Sequence, residues 1–135
     1  MNNSKNRVLI IGAGLAGVEA ANFLAQAKIE VILVECKRIK KNPAQKIDSF
    51  AELVCTNSLK SKNPHSAHGL LKLEMNTLGS LVLESAEQAS VPAGDALAVN
   101  REKFSAYITE SLGKNPFVEI IDDEATDPVG LAQKY

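Results

Sequence analysis

Gly12, Gly14 and Gly17 stand in RVLIIGAGLAGVEAANFLAQAKIEVILVE, and Glu35 closes that stretch 18 residues after the third glycine. Glycines at this spacing serve phosphate chemistry. In a GxGxxG turn the first glycine permits a tight bend, the second lets backbone N–H groups approach a pyrophosphate, and the third allows a helix to pack closely on a strand. The helix opening on the turn, with Ala13, Leu15 and Ala16 between the glycines, directs about half a positive charge from its N-terminus towards the phosphates. A carboxylate at Glu35 can accept hydrogen bonds from the adenosine ribose hydroxyls and repels a 2′-phosphate. The pattern therefore suits FAD or NAD(H) better than NADP(H).

Such a motif is specific only where strand, turn, helix and strand follow in order. Here Val8 to Ile11 read as a buried strand, Leu15 to Lys28 as a helix, and Val31 to Val34 as a second buried strand. A long connection follows, Cys36 to His65, rich in Lys, Asn, Ser and Pro and interrupted by the apolar patch SFAELVCTNSL. Loops of that length inside a compact domain are functional or disordered as a rule. Leu70, Leu71, Met75 and Leu78 then recur at helical spacing up to Gly79 and are expected in the core, and Leu81 to Ala89 offers a second helical or strand-like stretch. VPAGDALAV reads as a turn leading into an extended segment. Asn100 is placed to cap a helix with Phe104, Tyr107, Ile108 and Leu112 on one face and Gly113 at its end, and Phe117 to Ile121 form a third strand.

The order βα–β–insertion–α–β predicts an α/β fold, a Rossmann-like FAD/NAD(P)-binding parallel sheet with right-handed connections. Residues 1–135 are then the N-terminal part of a domain that binds FAD or NAD(H), with an insertion at about 37–99. Only three strands of that sheet are evident. The chain reads as truncated, the start of a larger sheet with an exposed edge after Ile121.

A length of 135 residues and 45% hydrophobic content suit one domain with a real core. A net charge of −1 excludes a global pull towards nucleic acid, but the charges are uneven. Residues 37–62 carry Lys37, Arg38, Lys40, Lys41, Lys46, Lys60 and Lys62 against Asp48 and Glu52, a local excess of +5 that makes either a solvated loop or a phosphate-contact surface. Residues 119–135 are acidic and read as an exposed end. No run approaches the about 20 apolar residues of a membrane span. The start MNNSKNR lacks a leader, so a cytoplasmic chain with no membrane contact is expected. Cys36 and Cys55 have no CxxC spacing, and His65 and His68 have nothing nearby to complete a ligand set, so neither a disulfide framework nor a metal is expected. Taken by itself Cys55, flanked by Leu53 and Val54, reads as a small buried hydrophobe.

FAELVCTNSL at Phe50 to Leu59, with IGAGLAGVEAA before it and GLLKLEM and VPAGDALAVNREKF after it, resembles the N-terminal part of the folate- and FAD-dependent tRNA (uracil-5-)-methyltransferase family, TrmFO. The likeness runs in order from about Arg7 to Glu124. It implies a flavoprotein that takes a methylene group from 5,10-methylenetetrahydrofolate and reduces it with electrons from NAD(P)H through FAD. The methyl then goes to C5 of a uridine in the tRNA T-loop, with a ribosomal RNA uridine as the alternative acceptor. A stand-alone dinucleotide-binding module and a non-functional truncated product are the remaining alternatives. The resemblance implies that Gly12, Ala13, Gly14, Leu15, Ala16, Gly17 and Glu35 hold the ADP half of FAD and that Cys55 is a catalytic thiol near the flavin.

The chemistry calls for such a thiol, because C5 of uracil is a poor nucleophile until a thiolate adds at C6, and a second thiolate or base must then remove the C5 proton. The family's other cysteine lies beyond Tyr135, and Cys36, beside Glu35, is in the wrong place to replace it. The chain alone is expected to be inactive. It departs from the family pattern at Gln45, Lys46, Thr56, Lys60, Asp95 and Asn100. Asp95 is the serious departure, since a glycine at a turn often has positive φ or lies against a ligand.

Overall fold

A computed structural model describes residues 7–135, so the expectation drawn from the first six residues falls outside it. The chain opens with β1 (Val8–Ile11), α1 (Leu15–Gln26) and β2 (Val31–Glu35), as the glycine pattern predicts. The helix stops before Lys28 because Lys28 takes a left-handed conformation (φ 59). Its N–H donates to the Ala25 carbonyl at 2.9 Å and that of Ile29 to the Leu24 carbonyl at 3.0 Å, a Schellman closure.

β2 is the centre of a parallel sheet in the order β1-β2-β6, where β6 spans Val118–Asp122. Val31 sits opposite Val8 on one side and Val118 on the other. Val31 to Val34 are buried, as expected of a strand covered on both faces. The expected burial of β1 fails at its ends: Val8 is 37% and Ile11 48% exposed. The reason is topological, since β1 has a neighbour on one side only among the described residues. Among the described residues the sheet therefore has two open edges, β1 as well as the anticipated β6.

Between β2 and α4 (Arg101–Gly113) the chain builds a second, antiparallel sheet from β3 (Ser58–Ser61), β4 (Ser90–Val91) and β5 (Ala96–Val99), in the order β3-β5-β4. Two helices, α2 (Ala67–Thr77) and α3 (Leu81–Gln88), lie within this segment. α3 settles the ambiguity of residues 81–89 in favour of a helix, capped by the Ser80 hydroxyl, which accepts the Leu83 N–H at 3.1 Å. Phe104, Ile108 and Leu112 of α4 are buried on the predicted face, with Asn100 as N-cap. They join Val18, Leu33, Phe50, Leu83 and Val99 in one core shared by both sheets.

The leucines of α2 do not enter that core. Leu70 and Leu71 are each 52% exposed and Leu78 is 65% exposed, because α2 buries only Gly69 and meets β3 and α3 along a narrow stripe. The acidic end is more ordered than expected: α5 (Pro128–Lys134) is capped by Asp127, which accepts the Gly130 N–H at 3.0 Å, and buries Leu131. The turn before β5 removes the conformational concern over Asp95. Gly94 takes the positive φ (58), whereas Asp95 is exposed, does not share that conformation, and uses its carbonyl to accept the Lys62 N–H at 2.7 Å.

Candidate dinucleotide site and cysteine block

The glycine turn is built as its chemistry requires. Gly12 has φ 95 and donates its N–H to the Val34 carbonyl at 2.8 Å, pinning the bend to β2. A Cβ on Gly17 would collide with the Gly12 carbonyl oxygen, so only glycine lets α1 lie this close to the turn. Gly14 faces open space, with nothing within 4 Å of where a Cβ would stand. It is the N-cap of α1, and neither a capping side chain nor an acidic residue occupies that first turn. An uncapped helix start behind an open glycine is an anion-binding arrangement.

Glu35 stands beside it. Its Oε2 accepts the Ala13 N–H at 2.7 Å and its Oε1 the Lys37 N–H at 2.8 Å, which fixes the carboxylate at the turn. Each carboxylate oxygen still has a second lone pair for a ribose hydroxyl. Cys36 follows directly. Burial, and then the Glu35 carboxylate, push its thiol pKa above the usual value.

The Ala13 carbonyl accepts the Ala51 N–H at 2.8 Å, which brings the cysteine block to the same turn. The block is held at two further points: the Phe50 N–H donates to Thr109 Oγ1 at 2.8 Å, and Arg101 Nη1 donates to the Leu53 carbonyl at 3.1 Å. Phe50, Ala51 and Leu53 are buried, whereas Val54 is 40% exposed and Cys55 is exposed. The chain leaves the core between Leu53 and Val54. This overturns the reading of Cys55 as a buried hydrophobe.

The basic stretch is largely consumed by ion pairs. Lys37 is buried, with Nζ 3.2 Å from Glu52 and 2.6 Å from the Ser49 carbonyl. Burial raises the Glu52 pKa, but the Lys46 N–H and the Lys37 ammonium outweigh it and leave the carboxyl below its ordinary value. Arg38 pairs with Asp122 at 3.5 Å, Lys40 with Glu124 at 2.6 Å and Lys41 with Asp48 at 2.6 Å. The loop after β2 is thereby laced to the acidic end of β6, and neither a solvated loop nor a phosphate surface describes Lys37. Lys46, Lys60 and Lys62 carry no ion pair among the described residues. His65 and His68 are exposed, and no group of three or more His, Cys, Asp or Glu among the described residues could hold a metal.

Sequence reasoning missed Glu19. Its carboxylate accepts the Ser80 hydroxyl, the Val82 N–H at 2.7 Å and the Leu81 N–H at 3.2 Å, and so joins α1 to the start of α3. Its signal was available, since Glu19 is the only charged residue in LAGVEAANFLAQ.

Residues 7–131 match the family model described as Glucose inhibited division protein A. The chain belongs to that family. A Myxococcus xanthus protein named methylenetetrahydrofolate--tRNA-(uracil-5-)-methyltransferase TrmFO is 56% identical over 124 residues, covering 92% of this chain and 27% of its own length. The protein of the same name from Caldicellulosiruptor bescii is 58% identical over 120 residues, covering 89% and 28%. The TrmFO likeness carried by FAELVCTNSL is borne out, and this GidA-family chain spans little more than a quarter of those relatives. Among solved structures, Aquifex aeolicus GidA superposes with a TM-score of 0.68 over 87% of this chain and 19% of its own, at 16% identity. That likeness speaks for the fold, and the expected Rossmann-like parallel sheet is borne out with it.

Proposed function

We propose that this chain is the FAD-binding portion of a methylenetetrahydrofolate-dependent tRNA (uracil-5-)-methyltransferase. The observation that carries the reading is the Ala13 backbone, whose N–H donates to Glu35 at 2.7 Å and whose carbonyl accepts the Ala51 N–H at 2.8 Å. One residue thus joins a ribose-binding carboxylate, a phosphate-binding turn and the segment that presents Cys55. The residues fit FAD: Gly14 leaves its front open, the α1 N-terminus with Leu15, Ala16 and Gly17 faces a pyrophosphate, and Glu35 takes the adenosine ribose. FAD supplies the redox centre through which NAD(P)H electrons convert a methylene carbon from 5,10-methylenetetrahydrofolate to a methyl. The insertion at about 37–99 carries the thiol.

Cys55 is the thiol that adds to uracil C6, so that C5 becomes nucleophilic. It is exposed, while Cys36 is disfavoured by its raised pKa and its place beside Glu35. Removal of the C5 proton falls to a group outside this chain, so residues 1–135 alone do not methylate RNA. We assign the reaction to the cytoplasm, where tRNA and reduced thiols coexist; among the described residues no helix is long and apolar enough to cross a membrane.

Calorimetric titration with FAD and with ADP tests the site. Gly14→Val should abolish binding with the circular dichroism spectrum unchanged, and unaltered affinity would remove the turn from the proposal. A chimera carrying residues 7–131 in place of the matching segment of the Myxococcus xanthus relative tests the chemistry. Its Cys55→Ser variant should keep FAD yet form no 5-methyluridine in tRNA by mass spectrometry.

A further inference from the structure

Two apolar grooves meet between α1 and α2. Leu15, Leu71 and Met75 line one of about 330 Å³, and Phe23, Met75 and Leu78 line one of about 290 Å³. Glu19 and Met75 border both, so the two form one trough. Its walls are helical ridges, with Leu15, Glu19 and Phe23 every fourth residue on α1, and Leu71 and Met75 four apart on α2 with Leu78 at its C-cap. Phe23 is nevertheless 58% exposed, Leu71 52% and Leu78 65%. Contiguous exposed apolar surface of this kind marks an interaction site, and a trough between ridges accepts the apolar face of a helix.

We infer that this trough docks an amphipathic helix from the polypeptide that completes the enzyme, the part of the longer relatives that lies outside the matched segment. The inference rests on the reading above that the chain is a portion of such an enzyme. Two observations favour this occupant over a second copy of the chain. The relatives are matched over 27% and 28% of their length, so most of their polypeptide is available to pack on this unit. The strand that feeds α1 is also open among the described residues, where β1 has one parallel neighbour, and parallel sheets are extended and covered by further βα units of the same chain. A single continuing polypeptide serves the β1 edge and the trough together.

The test compares the isolated chain with the chimera described above, both carrying Cys36→Ser and Cys55→Ser together with Leu71→Cys or Leu78→Cys. Maleimide labelling at those positions, followed by peptide mass spectrometry, should slow at least tenfold in the chimera. Lys114→Cys at the C-cap of α4, where the side chain is 74% exposed, should label equally in both. The pair Leu71→Glu and Leu78→Glu should leave the melting temperature of the isolated chain unchanged and lower that of the chimera by several degrees. Equal labelling, or equal melting shifts, would overturn the inference. So would protection in the isolated chain that grows with its concentration, which identifies a second copy, or protection that requires added FAD, which identifies a ligand. Flavin absorbance of the chimera is read separately, so the cofactor site and the docking face can fail independently.

Discussion

Ala51 donates its N–H to the Ala13 carbonyl at 2.8 Å from a left-handed backbone conformation, φ 51, while buried to 2% exposure. For a residue with a Cβ this conformation costs about 1–2 kcal/mol. It persists because the neighbouring bonds to Thr109 and Arg101 fix the segment on both sides. The strain lies where the dinucleotide turn and the cysteine block join.

Ala51→Val should therefore destabilise the fold by about 2 kcal/mol or more, since a β-branched side chain is poorly tolerated at positive φ and has no room in a packed core. Ala51→Gly is the control. Relief of strain and the added entropy of the unfolded chain oppose each other, and the change should lie within about 1 kcal/mol of zero. Urea unfolding midpoints measure both. A valine variant as stable as the parent would show that the left-handed turn is not required.

Glu52→Gln should cost about 3–5 kcal/mol, because it leaves the Lys37 ammonium buried without its counter-charge. The side chains are 3% and 8% exposed, so screening by solvent is slight. The pH dependence follows from the lowered Glu52 pKa. A carboxyl held below its unfolded value contributes stability that is present above the ordinary carboxylate range and is lost as pH falls through the folded value. The parent should weaken on acidification more than Glu52→Gln does. Unfolding midpoints at neutral and acidic pH compare the two, and parallel acid losses would show that the pair does not govern the response.

Glu35→Ala should weaken FAD or ADP binding by about 1.5–3 kcal/mol through lost charge-assisted ribose bonds. It should also lower the stability of the nucleotide-free chain, since the same carboxylate holds the Ala13 and Lys37 N–H groups. Calorimetry and thermal melting separate the two effects. Weaker binding with unchanged melting would mean that the backbone bonds are dispensable.

The parallel sheet, α1 and α4 were legible because each carries its own pattern: a glycine turn between two apolar runs, or an N-cap followed by Phe104, Ile108 and Leu112. α2 misled because helical spacing reports a stripe but not what covers it, and Leu70, Leu71 and Leu78 are each more than half exposed among the described residues. The same limit hid the exposure of β1, whose residues are those of a buried strand while, among the described residues, its strand neighbour lies on one side only. Lys37 and Glu52 lie 15 residues apart in an irregular loop, and no periodicity relates them. The sequence marks Glu35 as the carboxylate that ends the second strand, but its grip on the Ala13 N–H depends on the register of β1 against β2.

Cys55 should alkylate faster than Cys36. A thiol reacts as its thiolate, so burial and the neighbouring Glu35 carboxylate suppress Cys36 by keeping it protonated, and its partial cover slows access further. Cys55 is exposed beyond the point where Val54 leaves the core. Glu35→Gln removes the carboxylate's charge while keeping the side chain's size, and should speed labelling of Cys36 while leaving Cys55 unchanged. Maleimide labelling of the purified chain, resolved by peptide mass spectrometry, measures all four rates. Cys36 labelling as fast as Cys55 would remove the electrostatic distinction between the two thiols and with it the preference for Cys55 as the residue that attacks uracil.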